Sequence, residues 1–157
     1  MVTTTSSDML APLNRLRAAV GAPPAIIDPA VEWLAMARIH QLIDRQEFTH
    51  CVRPDDTEDC GMSGYALAGL LSRIGLAGRG WGECLMLRGG TLNDRATRLS
   101  ALDGWRQSPR HRAILLWPQV TLLGTAEGSW RQVTHPSRTF TLTYVGIAYC
   151  LILMEAR

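Results

Sequence analysis

Apolar positions recur at helical spacing through the first two thirds of the chain. Toward its end they alternate, and then run together. Val31, Leu34, Ala35, Ile39, Leu42 and Ile43 share one side of a 3.6-residue repeat and form a stripe fit for a core. Trp33, Met36, Ala37 and His40 make the flanking face. Asp28-Pro29 opens this helix, with aspartate as the cap and proline where no N–H is needed. The helix is predicted to run to about Gln46. An earlier helix is predicted from Ser7 or Asp8 to a point before Gly21. Ala22-Pro23-Pro24 then reads as a stiff extended connector. Residues 63–74 suggest a third helix that buries Tyr65, Leu67, Leu70, Leu71 and Ile74. Gly75, Gly78 and Gly80 break it.

The pattern then changes. Residues 80–87 read as a short strand, on which Glu83 and Cys84 face opposite ways because strand side chains alternate. Thr91 or Asn93 is suited to cap a helix that continues through Arg106, with Leu99, Leu102 and Trp105 on one face. Ser108-Pro109 opens the next helix. The serine hydroxyl is expected to accept a helix N–H there, and an apolar run with a buried look follows. Residues 120–126 read as a strand, Glu127-Gly128 as a turn, and residues 130–133 as a brief pairing segment. His135-Pro136-Ser137-Arg138 reads as a further turn. Residues 139–154 alternate at first and become continuously apolar, as a central strand does. Helices gather early and strands late, which predicts an α+β domain. No repeat or linker divides the chain, so residues 1–157 are read as one domain ending in strands over 139–154.

At 157 residues the chain is long enough to bury a real core. Its 46% hydrophobic and 19% charged content is ordinary for a globular protein. A net charge of +2, with basic residues scattered and not interleaved with aromatics, argues against nucleic acid as a partner. No segment has the length of a membrane span; the longest apolar candidate, residues 144–154, is too short and contains a glycine. The opening MVTTTSSDML has neither a basic nor an apolar region of the kind an export signal needs. Four cysteines allow three pairings. Cys51 and Cys60 bracket the acidic loop VRPDDTED, which leaves Cys84 with Cys150. Disulfides would suit an exported domain and free thiols a cytosolic one.

Candidate chemistry centres on residues 105–124. His111 falls in the first turn of the Pro109 helix, beside its partly positive end. That position favours a neutral imidazole able to ligate. The plainer alternative is a polar residue on a short surface helix. The run W-x-x-S-P-x-H-R from Trp105 is followed by Ile114-Leu115-Leu116 and by Gly124, thirteen residues after His111. Three further stretches precede it: Leu13-Asn14-Arg15-Leu16-Arg17 with Gly21 and Asp28, Phe48-Thr49-His50, and Gly82-Glu83-Cys84-Leu85. In this order, from about Leu10 to Glu127, they resemble the bacterial branch of the CAP superfamily. That superfamily joins cysteine-rich secretory proteins, insect venom antigens and plant pathogenesis-related proteins.

The resemblance implies a three-layer α-β-α sandwich and an extracellular or periplasmic home, the latter at odds with the N-terminus as written. It also implies a cleft where two histidines and two glutamates converge. His50, Glu83 and His111 match three of them. Ser108 stands where the second glutamate falls, and Cys84 stands where G-E-N-[IL] has asparagine. Two neutral imidazoles and a carboxylate can bind Zn²⁺ and leave positions open to water. Glu83 can instead hydrogen-bond one imidazole from behind and fix its tautomer. A serine carries no charge, so any divalent ion is expected to bind weakly.

Three functions stay open at this point. One is a secreted or surface module whose cleft takes a divalent metal or a small ligand, lipid included. Another is a metal-dependent hydrolase with Glu83 as general base. The third is a structural or interaction domain in which the three side chains form a buried polar cluster. His40 reads as structural, His135 as solvated and Trp105 as a core anchor. The resemblance implies that Arg112, next to His111, pairs with an acidic neighbour. Cys84 as a nucleophile near His111 is disfavoured, because alternation sends it to the wrong face. No G-x-S-x-G elbow, Walker loop, H-E-x-x-H or zinc-finger spacing is present.

Overall fold

The Asp28-Pro29 start signal is followed in the structure. In the computed structural model, which describes residues 1–50, 65–89, 92–134 and 142–156, Asp28 caps a helix that begins at Pro29. Its carboxylate accepts the N–H groups of Ala30 at 2.9 Å and Val31 at 3.1 Å. This helix, α2 (Pro29–Arg45), ends where Gln46 turns left-handed at φ 55°. Val31, Leu34, Ala35, Ile39 and Leu42 are buried along it, and Ile43 is half-buried. The other helices are α1 (Ser6–Ala18), α3 (Ala66–Arg73), α4 (Arg95–Gln107) and α5 (Pro109–Leu116). The strands are β1 (Val2–Thr4), β2 (Ile26–Ile27), β3 (Trp81–Arg88), β4 (Val120–Thr134) and β5 (Leu142–Glu155).

The sheet runs β1-β4-β5-β3, and β2 pairs in parallel with β4 at Leu122 and Leu123. The remaining pairs are antiparallel. The apolar run of β5 is therefore central, as its composition predicts, and β3 lies at an edge. Strand alternation sorts the core into two halves. Tyr149, Leu151 and Leu153 turn to a layer that includes Met9, Leu13, Leu102, Trp105 and Leu115. Ala148, Cys150, Ile152 and Met154 turn to a layer that includes Leu34, Ile39, Leu67 and Leu71. Helices α1, α4 and α5 thus cover one face, and α2 and α3 the other. This is the α-β-α sandwich.

Three local expectations are corrected. Glu127-Gly128 is not a turn: β4 is continuous from Val120 to Thr134. Glu127 is completely buried in it, because Arg98 meets both carboxylate oxygens at 2.6 and 3.1 Å. Gly128 is needed for packing, since a Cβ there would lie 2.5 Å from Ile39 and 2.8 Å from Ile43. The cap of α4 is Asp94, which accepts from Ala96 and Thr97, and not Thr91 or Asn93. The Thr97 hydroxyl, then the Ala96 N–H, holds the Asp94 carboxyl below its usual range. Asn93 adopts φ 64° and gives its N–H to Glu127 at 2.7 Å, while Thr91 lies outside the described residues. Finally, in the apolar run of α5 only Leu115 is fully buried.

Two residues of the opening motif fix the ends of elements. Asn14 bridges to the backbone of Ala25 through both its amide oxygen, at 2.7 Å, and its amide nitrogen, at 2.9 Å. Arg17 is fully buried and donates to the carbonyls of Pro23 at 2.6 Å, Leu115 at 2.7 Å and Trp117 at 3.2 Å. It satisfies carbonyls at the end of α5 that the helix itself leaves open. Burial pulls the guanidinium below its ordinary pKa.

A candidate imidazole cleft at the sheet edge

Phe48 packs edge-on against the buried Trp130, with ring centroids 5.6 Å apart, and so anchors the chain as it leaves α2. His50 follows two residues later. Its carbonyl accepts the Ala66 N–H at 2.9 Å, which ties it to the start of α3. About a third of its side chain, 34%, stays exposed.

Glu83 reaches from β3 toward the α2 side and is buried. Its Oε2 lies 2.6 Å from His50 Nδ1, and its Oε1 accepts from Arg38 Nε at 2.8 Å. A carboxylate can only accept, so His50 donates to it through Nδ1, and Nε2 is the ring nitrogen not engaged by Glu83.

His111 comes from the opposite layer. Helix α5 lies close over β3 at Gly82, where a Cβ would sit 2.3 Å from Ile114. The His111 ring stands 6.2 Å from the His50 ring, at 38°. Its Nδ1 is 3.0 Å from Ser108 Oγ. The Ser108 hydroxyl therefore does not cap a helix N–H as predicted; it meets the imidazole three residues on. Its carbonyl accepts the Arg112 N–H at 2.8 Å. On the other side of His50, Tyr65 lies 6.3 Å away, and Trp81 stands edge-on to Tyr65 at 5.6 Å.

The cysteines follow strand alternation. Cys84 and Cys150 are both free and fully buried, so the expected bridge between them is not formed. Cys84 belongs to the core under α5, and Cys150 to the core under α2. Opposite faces of a sheet keep the two sulfurs apart. The sequence argument about Cys84 also needs correction. It does lie on the opposite face from Glu83, but that is the face of α5, and its thiol is 4.0 Å from the His111 carbonyl. That contact is with backbone. Burial first, and the Glu83 charge second, push both thiols well above the ordinary range. Neither is a nucleophile in this state. Under native conditions Cys84 and Cys150 should resist iodoacetamide and become alkylated on unfolding. Peptide mass mapping checks this; rapid native labelling of Cys84 would contradict its burial. Cys51, Cys60 and His135 lie outside the described residues. His40 and Arg112 are exposed.

The structure therefore brings His50, Glu83, Ser108 and His111 to one sheet edge, with Glu83 behind His50. Among the described residues, no three His, Cys, Asp or Glu side chains gather closely enough to hold an ion together. The residue that sequence reasoning missed is Arg38. A signal was present: position 38 continues the Val31, Leu34 and Ala35 stripe, so a charge there is buried and needs a partner.

A sheet between two helical layers, open at one edge where an imidazole from each layer meets, defines the class. The profile of the CAP family, the cysteine-rich secretory protein family, matches residues 10–144, and the chain belongs to that family. Among solved structures, an outer surface protein of Borrelia burgdorferi matches with a TM-score of 0.62 at 15% identity, covering 100% of both chains. A cysteine-rich secretory protein of Staphylococcus aureus matches at 0.58 and 21% identity, over 96% of this chain and 38% of that one. An extracellular SCP-domain protein of Bacillus anthracis matches at 0.62 and 20% identity, over 96% and 40%. At such identities the likeness is one of fold. This chain spans about two fifths of the latter two. No curated protein matches it in sequence.

Proposed function

We propose that the cleft beside β3 binds a divalent cation, Zn²⁺ first, through His50 and His111, in a protein that works outside the cytoplasm. The observation that carries this reading is the imidazole pair, 6.2 Å between centroids, with Nδ1 of each ring engaged from behind. Imidazole suits Zn²⁺, and a bond from behind fixes which nitrogen faces the ion. The location rests on family membership and on the surface and extracellular neighbours. Among the described residues no helix is long and apolar enough to cross a membrane. Ser108 brings a neutral hydroxyl where the family places a carboxylate, so affinity is expected to be modest. The hydrolase alternative has less support, because both oxygens of Glu83 are already engaged, one by Arg38 and one by His50. The small-ligand alternative has less support, because a groove of about 320 Å³ between α1 and α4 is lined by Arg15, Asp103 and Arg106 as well as by Leu16, Leu99 and Leu102, and a second of about 360 Å³ lies beside Val31, Leu76 and Met154, neither of them lined by His50, Glu83 or His111.

Calorimetric titration of metal-free protein with Zn²⁺ tests the cation reading. His50→Ala and His111→Ala should each weaken binding by more than the roughly 10–100-fold typical of outer-shell changes. Binding should also weaken on acidification, because an imidazolium cannot ligate. Ser108→Glu should tighten it. Equal binding by both alanine variants and the unmutated protein would place the ion elsewhere. No binding at all would leave the structural or interaction domain as the better reading.

A further inference from the structure

We propose that Arg38 is a positioning residue that withdraws Glu83 from the cleft, so that the cleft offers its ligand imidazole nitrogen and no carboxylate. This rests on the reading of the cleft as a cation site. Arg38 sits midway along α2 with its side chain 2% exposed, facing a Glu83 side chain 1% exposed. All three guanidinium nitrogens are used. Nε donates to Glu83 Oε1 at 2.8 Å, one terminal nitrogen donates to Gln41 Oε1 at 3.0 Å, and the other donates to the Thr49 carbonyl. One rigid fork thereby holds the carboxylate and also the backbone immediately before His50. The second carboxylate oxygen is spent on His50 Nδ1 at 2.6 Å.

Moving Glu83 onto an ion would strand the Arg38 charge in the interior, where an unpaired charge is strongly disfavoured. Glu83 therefore stays behind His50 and orients it. The donors that remain are two imidazoles, since the Ser108 hydroxyl is engaged with His111 Nδ1. Such a set favours Cu²⁺, Ni²⁺ and Zn²⁺, and gives little to Mg²⁺, Ca²⁺ or Mn²⁺, which want anionic oxygen. The role belongs to Arg38 because no other described cation contacts Glu83.

Two nuclear magnetic resonance readouts and one calorimetric comparison test the assignment. In metal-free protein at mildly alkaline pH, a long-range proton–nitrogen correlation should show His50 as a single Nδ1–H tautomer. Arg38→Lys, which keeps the charge, should largely preserve it, and Arg38→Met should give a mixture. An unchanged tautomer in folded Arg38→Met would overturn the proposal even if no metal binds. During Zn²⁺ titration of the unmutated protein, the Arg38 Nε–H signal should keep its hydrogen-bonded position. Its loss as Zn²⁺ saturates would show Glu83 leaving for the ion, and that too overturns the proposal. This readout needs no substitution, so it decides the matter if Arg38→Met fails to fold. By calorimetry, Arg38→Met should lower the preference for Zn²⁺ over Mn²⁺ by at least about tenfold, the lower end of outer-shell effects. The double variant Arg38→Met, Glu83→Gln should lose that gain in Mn²⁺ binding. A preference unmoved in both would contradict the withdrawal of the carboxylate. Failure of Zn²⁺ to bind the unmutated protein would defeat the cation reading instead.

Discussion

Trp105→Ala is expected to destabilise the protein by about 3–5 kcal/mol, the range for removing a large buried aromatic. The indole is fully buried among Leu102, Leu115 and Met86 in the core under α4 and α5. Its Nε1 also donates to the Leu85 carbonyl at 3.0 Å. Truncation would open a cavity and orphan a carbonyl of the edge strand. Trp105→Phe should lose less, because the ring stays while the donor goes. His111→Ala, at a half-buried position in the first turn of α5, should stay within about 1 kcal/mol. Urea denaturation of the three variants measures the contrast. Equal losses for Trp105→Ala and His111→Ala would mean that His111 is a packing residue and not part of a cleft.

Arg98→Met should be nearly as damaging, about 3–5 kcal/mol, because it strands a fully buried Glu127. Arg98 also holds Asp8 at 2.5 Å and the Asn93 side chain at 3.1 Å, so α1, α4 and β4 meet on one guanidinium. The Glu127 bond, more than any other contact, raises its pKa above the ordinary arginine value. Adding Glu127→Gln to Arg98→Met should recover much of the loss, since no unpaired charge then remains. A double variant no better than the single one would show that shape, not charge, is what matters there. Tyr149, opposite Glu127 in the β4–β5 register, adds a pH signature. Burial first, and the Glu127 charge second, push its phenol from 10.0 up to about 12. A raised pKa means that the folded state holds its proton longer than the unfolded state does. The corresponding stability is present below pH 10 and is lost as pH rises through about 12. Glu127→Gln should narrow that window in alkaline unfolding.

The Trp105 environment was legible because helical spacing and size both point inward. So was α2, where a cap, a proline and an apolar stripe agree. The candidate site was legible only in part. His50, Glu83 and His111 were identified by motif, and their meeting at one edge is a product of the strand order, which no local pattern encodes. Glu127-Gly128 was misread because that dipeptide favours turns locally. Its true partner, Arg98, lies 29 residues away. Ser108 was read as a cap for the same local reason, while tertiary packing gave its hydroxyl to an imidazole. Buried charges are where pattern reading fails most, since burial hides the partner that makes each charge tolerable.

One imidazole hangs from each helical layer, so the gap between the rings gauges how far the layers have sheared across the sheet. An ion gripping both rings would be a cross-link between the two helical layers at the β3 edge of the sheet that separates them. It would stabilise by about 2.7 kcal/mol at a free concentration one hundred times its dissociation constant. The added resistance would concentrate in sliding of α5 against α3, the motion that pulls the rings apart, and would leave breathing of the β1 edge unchanged. Amide exchange mapped along the chain would separate the two.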